Sequence, residues 1–119
     1  MPLISSAQLA KLLENGRAQR AAIDRQDQAL DFEPVVKLFT PDAQATWLIT
    51  ELDPDSNGLA FGLADLGLGE PELGYISLQE LAELRGPLGL PVEQDLHFAP
   101  TRALSAYAEL AREHRRIVT

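Results

Sequence analysis

Residues 34–66 alternate between extended apolar runs and short turns, and no other feature restricts the fold as strongly. Valine, leucine, isoleucine and aromatic residues dominate three runs, at residues 35–39, 46–52 and 59–66. Thr40-Pro41-Asp42-Ala43 separates the first two runs, and a turn ending in Asn57-Gly58 separates the last two. Neither connection is long enough for a crossover, so the pattern predicts a three-stranded antiparallel meander.

Capping signals predict a helix before the meander. Ser5 can cap this helix, Gln8 occupies the capping-box position, and Gly16 is predicted to end it. The leucines of this segment form one narrow apolar stripe, which is typical of a helix lying on the surface of a core. Residues 17–33 lack a clear period and are predicted to be an irregular or partly helical connector.

Shorter segments follow the meander. Tyr75-Ile76 is predicted to be extended, and Ser77 opens a second helix that ends at Gly86-Pro87. Asp95–Phe98 is predicted to be one more strand at a sheet edge. Residues 101–117 have the apolar spacing of a final helix.

These elements predict one α+β domain spanning residues 1–119. It is a small antiparallel meander of three to five strands, with an N-terminal, a middle and a C-terminal helix packed on one face. A chain of 119 residues, 45% of them hydrophobic, can bury a single core of this kind. The side chains expected in that core are Trp47, Leu48, Ile49, Phe61, Leu63, Leu81, Leu84, Leu104 and Tyr107.

The composition indicates in which compartment the protein is found and which kinds of site it lacks. The chain has no cysteine, which excludes disulfides, thiolate metal sites and cysteine nucleophiles. No apolar run approaches the about 20 residues that cross a bilayer, and the first residues lack the basic and apolar regions of a secretory signal. A cytoplasmic protein without membrane contact is therefore expected.

Negative charge is concentrated in the middle of the chain. The formal net charge is −8, and residues 31–95 carry 13 carboxylates against only Lys37 and Arg85. Between Leu38 and Leu84 there are nine Asp and Glu residues and no Lys or Arg. Such a region repels phosphate backbones, so direct nucleic-acid binding is not expected without a metal ion. The expected partner is a protein with a basic surface.

Two segments resemble ligand-binding motifs but lack their essential residues. Residues 53–58 match the first half of a calcium loop, but Ala64 occupies the position of the bidentate acid, and strands flank the segment. Gly67–Gly74 has neither the dinucleotide-binding spacing nor a P-loop lysine, and its two glutamates would repel an anion. A hairpin turn and a structural loop are therefore predicted, with no cofactor.

One face of the predicted meander gathers charged side chains. The two turns suggest that Phe39 pairs with Trp47 and that Glu51 pairs with Phe61. This register would place four side chains on one face of the sheet: Lys37, Trp47, Glu51 and Asp65.

Carboxylates beside a lysine on neighbouring strands are typical of a metal-dependent nuclease. Glu51 and Asp65 are then the candidate ligands of Mg²⁺ or Mn²⁺, Lys37 would stabilise developing charge, and His97 would act as a general base. The Glu-x-Lys pattern of such enzymes does not occur in this chain. The competing interpretation is a solvated sheet face that carries an ion pair.

Five parts of the chain together resemble a known family. They are PVVKLFTPDA (34–43), ATWL (45–48) with TELDP (50–54), AFGL (60–63) with DLG (65–67), PELGY (71–75), and DLHF (95–98) with LSAY (104–107). They resemble an uncharacterised bacterial family, domain of unknown function 2958, over nearly the whole chain. The resemblance implies a context of plasmids and integrative elements. Some relatives carry the label single-stranded DNA endonuclease, but no catalytic residue is carried over from them.

Three functions of different classes are compatible with these observations. The favoured one is a small non-enzymatic interaction domain of a mobile genetic element, because nucleophile motifs, a complete metal-ligand set and a phosphate loop are all missing from the sequence. The first alternative is the metal-dependent single-stranded DNA endonuclease that would use Lys37, Glu51, Asp65 and His97. The second alternative is an acidic mimic of nucleic acid that blocks a host DNA-binding protein.

Overall fold

The computed structural model describes residues 3–119 as one antiparallel sheet with three helices. In chain order the elements are α1 (Ser6–Asp24), β1 (Val36–Phe39), β2 (Thr46–Leu52), β3 (Leu59–Asp65), β4 (Glu72–Ser77), α2 (Leu78–Glu83), β5 (Glu93–Gln94) and α3 (Leu104–His114). The five strands lie in the order β4-β3-β2-β1-β5. The predicted α+β class is confirmed, and within residues 3–119 no helix is long and apolar enough to cross a membrane.

The two predicted turns connect the central strands as expected. The Thr40 amide donates to the Ala45 carbonyl at 3.0 Å and closes the β1–β2 hairpin. The Asp53 amide donates to the Leu59 carbonyl at 2.8 Å and closes the β2–β3 hairpin. Here Gly58 has a φ of 76°, which an asparagine-glycine turn requires. The predicted meander is therefore confirmed.

The last strand lies two residues before its predicted place at Asp95–Phe98. Its two residues, Glu93 and Gln94, pair with the outer side of β1. The Asp95 carboxylate then accepts a hydrogen bond from the His97 amide at 2.9 Å. This local bond turns the chain away from the sheet, so His97 lies in a turn and not in a strand.

The register of the first hairpin differs by one residue from the prediction. Phe39 pairs with Thr46, and Leu38 pairs with Trp47. Because side chains alternate across a strand, this single step moves Trp47 to the face opposite Lys37. The second predicted pair, Glu51 with Phe61, is confirmed, and a β-bulge separates it from the pairing of Ile49.

Helices cover both faces of the sheet, whereas the sequence predicted helices on one face. Trp47 and Ile49 pack on one face in a cluster that includes Leu12 of α1 and Leu81 of α2. Leu48 packs on the opposite face in a cluster with α3. Four consecutive residues of β2, 47–50, are buried, which is typical of a strand covered on both sides. Outside the core lies Leu84, which the sequence placed inside; it is 40% exposed because α2 ends at Glu83.

Helix α1 does not end at Gly16, contrary to the prediction, and continues to Asp24. The Val35 amide donates to the Ile49 carbonyl at 2.8 Å, and pairing between β1 and β2 ends there. Beyond Ile49, the edge of β2 that faces β1 lies beside helix α1. The Asn15 amide donates to the Thr50 carbonyl at 2.9 Å, and a Cβ on Gly16 would lie 1.7 Å from the Leu52 carbonyl oxygen. Gly16 is therefore required for close contact and not for helix termination.

We expect Gly16→Ala to destabilise the protein, although alanine favours a helix by about 1 kcal/mol over glycine. The added methyl group would overlap a backbone carbonyl, and overpacking of this kind costs about 1–3 kcal/mol net. Gly74→Ala is the matched control, because a Cβ there meets nothing within 4 Å. Urea unfolding should show a clear loss for the first variant and a change within about 0.5 kcal/mol for the second. If Gly16→Ala were as stable as the unchanged protein, the close contact between Gly16 and the Leu52 carbonyl would be contradicted.

Candidate functional site

Lys37 and His97, two of the four residues that the sequence singled out, lie near the β1–β5 edge. The Lys37 ammonium is 3.6 Å from a carboxylate oxygen of Asp95 and donates to the Thr119 hydroxyl at 2.7 Å. The same Asp95 carboxylate accepts the His97 backbone amide. Lys37 thus forms a local ion pair, and the His97 side chain is exposed.

Asp65 has a structural environment at the other end of the sheet. It is only 4% exposed, and its two carboxylate oxygens accept the backbone amides of Gly67 and Ile117, each at 2.9 Å. These bonds hold the loop after β3 and the segment after α3 against each other. Both carboxylate oxygens are therefore engaged by the protein itself.

The structure does not bring the two candidate metal ligands together. Glu51 pairs with Phe61, which lies four residues before Asp65 along β3, so the two acidic residues stand about 13 Å apart at the usual rise of a strand. A magnesium ion binds oxygen ligands at about 2.0–2.1 Å, so one ion cannot bind both groups in this arrangement. Among residues 3–119, no group of three or more His, Asp or Glu side chains is arranged to hold a metal ion.

The acidic turn between β2 and β3 is tied to α1. Arg20 forms ion pairs with Asp53, at 3.5 Å, and with Asp55. The Asp53 carboxylate also accepts the Asp55 amide at 2.9 Å, which is the geometry of a local Asx turn. The carboxylates of the turn that resembles a calcium loop are thus paired with the Arg20 side chain instead of a metal ion.

A small cleft lies between the second half of α1 and one row of the sheet. Glu51 pairs with Phe61, and Phe61 pairs with Tyr75, so these three residues are consecutive neighbours across β2, β3 and β4. We call this space the Glu51 cleft. It has a volume of about 70 Å³, and its other wall is formed by Gln19, Arg20 and Ile23 of α1.

Glu51 is half-buried in this cleft, and burial raises the pKa of its carboxyl group above the ordinary 4.5. Hydrogen bonds from Thr50 and Gln19 oppose that shift. Within residues 3–119 no Lys, Arg or His nitrogen lies within 4.0 Å of the Glu51 carboxylate, and the neighbouring Arg20 is paired with the acidic turn. Glu51 is therefore a partly desolvated negative charge without a cationic partner in the described chain.

Two aromatic side chains, Phe61 and Tyr75, also line the cleft. The rings of Phe61 and Tyr75 meet edge to face, with centroids 5.5 Å apart and an interplanar angle of 74°. Tyr75 is 72% exposed. An exposed aromatic face beside an unpaired carboxylate attracts a cation from two directions, through the ring quadrupole and through the charge.

The sequence indicated Glu51 but not its aromatic neighbour. Tyr75 was predicted only as part of a two-residue extended segment. The signal that could have revealed it is the alternation of Leu73, Tyr75 and Ser77, which indicates a full strand with one exposed face. Pairing such a strand with β3 would have placed Tyr75 opposite Phe61.

Comparison with known proteins identifies a family and no activity. A family model described as "Protein of unknown function (DUF2958)" matches residues 3–118. Neither a curated protein nor a solved structure shows significant similarity to the chain.

We expect Glu51→Gln to stabilise the folded protein at pH 7, because glutamine keeps polar contacts in the cleft without a desolvated charge. The raised pKa of Glu51 means that the folded state favours the neutral carboxyl. The advantage of the variant should therefore shrink as pH falls through that raised pKa and vanish below 4.5. Unfolding midpoints measured from pH 7 to pH 3.5 test this. Glu109→Gln, at an exposed position of α3, is the control and should show no such gain.

Proposed function

This chain belongs to the DUF2958 family, and we propose that it is a non-enzymatic cytoplasmic domain that binds a protein partner with a basic surface. The observation that carries the proposal is the half-buried Glu51 carboxylate, which lacks a cation and stands beside Phe61 and Tyr75. The bound group is an arginine or lysine side chain of the partner. The mobile-element context that the sequence resemblance implies is part of the same proposal.

The size of the Glu51 cleft supports a side-chain head as the ligand. A volume of about 70 Å³ is well below the roughly 300–1,000 Å³ that is typical of small-molecule pockets, which favours the end of one side chain over a nucleotide. Arginine is well suited, since its planar guanidinium can stack on an aromatic ring and donate to a carboxylate at the same time. The excess of carboxylates in residues 31–95 favours approach of a cationic surface and opposes approach of a polyanion.

The energetics of the cleft favour binding of a charge over a neutral group. The protein has already removed part of the water from Glu51 in its unbound state. Part of the cost of desolvating Glu51 is therefore already present in the unbound protein. Less of that cost opposes the attraction between Glu51 and an incoming cation. The aromatic pair adds about 0.5–2 kcal/mol for a cation over its face.

The direct test uses a single basic side chain as the probe. Acetyl-Gly-Arg-Gly-amide is titrated into the ¹⁵N-labelled protein, and the amide shifts of residues around the cleft are followed. Binding on the order of millimolar is expected, because a few kcal/mol at most are available from one side chain. The matching peptide with citrulline, which is neutral and of similar shape, should not bind.

Two variants decide whether Glu51 is responsible. Glu51→Gln should abolish the shifts caused by the arginine peptide, whereas Glu109→Gln on α3 should leave them unchanged. Equal binding of the arginine and citrulline peptides would contradict the proposal. So would shifts that persist undiminished in Glu51→Gln.

The nuclease and mimic hypotheses make different demands on the same protein. A nuclease requires cleavage of single-stranded DNA with Mg²⁺ or Mn²⁺, lost in both Glu51→Gln and Asp65→Asn while each variant remains folded. A nucleic-acid mimic requires binding to a basic protein that weakens steeply with salt but does not depend on Glu51. Either result would replace the interaction domain proposed here.

A further inference from the structure

Strand β4 is an unprotected edge of the sheet. Among residues 3–119 it is paired only with β3, from Glu72 opposite Ala64 to Ser77 opposite Leu59, without a bulge. The opposite edge, β5, has only two residues. Proteins commonly block long edges with lysine, proline or a bulge, and Glu72–Ser77 contains neither lysine nor proline. Its outward backbone groups are free to pair with another strand.

We propose that an extended segment of the basic partner adds to β4 as a sixth, antiparallel strand and places one arginine over Tyr75 toward Glu51. The proposal rests on the function proposed above and adds the mode of recognition. Strand addition supplies affinity through backbone hydrogen bonds and specificity through alternate side chains. The occupant is a basic peptide segment and not a second copy of this chain, because two copies, each with a formal net charge of −8, would repel each other.

The register of the sheet fixes where the arginine must stand. Glu51, Phe61 and Tyr75 occupy one row, and an added strand would continue that row opposite Tyr75. Three strand spacings then separate its Cα from that of Glu51, about 14 Å. Only a long basic side chain lying across both rings spans a distance of that order, which favours arginine.

The neighbouring positions of β4 define the rest of the motif. Leu73 is exposed on the same face as Tyr75, so the partner residue opposite it should be apolar. Glu72 is exposed on the other face, so the residue opposite it should be basic. In an antiparallel strand the order is Arg, any residue, an apolar residue, then Lys or Arg. A suitable probe is the peptide Thr-Arg-Thr-Val-Lys-Thr with blocked ends.

The experiment measures binding of this peptide by calorimetry and by protection of backbone amides. Two singly N-methylated peptides, one modified at valine and one at the neighbouring threonine, block opposite edges of the bound strand. One of them should lose about tenfold or more in affinity, since its methyl group removes hydrogen bonds to β4, and the other should bind nearly as well. Outward amides of β4 should exchange more slowly in the complex. Glu51→Gln should weaken the unmodified peptide by about tenfold.

The outcomes separate the two proposals. If acetyl-Gly-Arg-Gly-amide binds the cleft but both methylated peptides bind as well as the parent, strand addition is wrong and the basic-group cleft stands. If neither the short probe nor the six-residue peptide binds, the proposed function itself fails. If β4 amides are protected in the free protein in proportion to its concentration, the occupant is a second copy and the inference is overturned.

Discussion

The contact between α1 and residues 50–52 of β2 is the constraint on which the site depends. Strand β1 reaches only as far as Ile49, and the carbonyl groups beyond it need another partner. The Asn15 amide supplies one, and the missing side chain of Gly16 lets the helix backbone approach the Leu52 carbonyl. This close approach brings the next turns of α1 over the end of the sheet. The Glu51 cleft exists because a helix occupies the place of a strand there.

Glu51 differs from the acidic groups that hold loops and termini in place. Asp95 has Lys37, Asp53 and Asp55 share Arg20, and Asp65 accepts two backbone amides. Those carboxylates contribute to holding loops and termini in place. Glu51 receives only hydrogen bonds from neutral groups and loses part of its hydration. A partly desolvated carboxylate lowers the stability of the fold slightly, and such a cost is typical of residues that bind a ligand.

The sequence was sufficient for the three strands and two turns of the meander but not for their exact pairing. Pro41 and Asn57-Gly58 are local signals, and the hairpins that they predict are present. The side assigned to Trp47 depended on one residue of loop length, which local propensity does not determine. A glycine in the sequence is compatible both with the end of a helix and with close packing against a neighbouring backbone. Only the tertiary structure shows that Gly16 has the second role. The site was half predictable for the same reason: Glu51 was visible in its strand, whereas its cleft depends on the path of α1.

The unguarded edge of β4 has a consequence for the colloidal behaviour of the free protein. Lysines and prolines along an edge normally keep sheets of different molecules apart, and here that role falls to the net charge of −8. This protection acts at long range and is screened by salt. It also disappears near the isoelectric point of about 4.6, where carboxylates take up protons. Solubility of the unbound domain therefore depends on salt and pH, because no residue of β4 itself blocks pairing between molecules. A bound strand would remove that dependence by covering the edge.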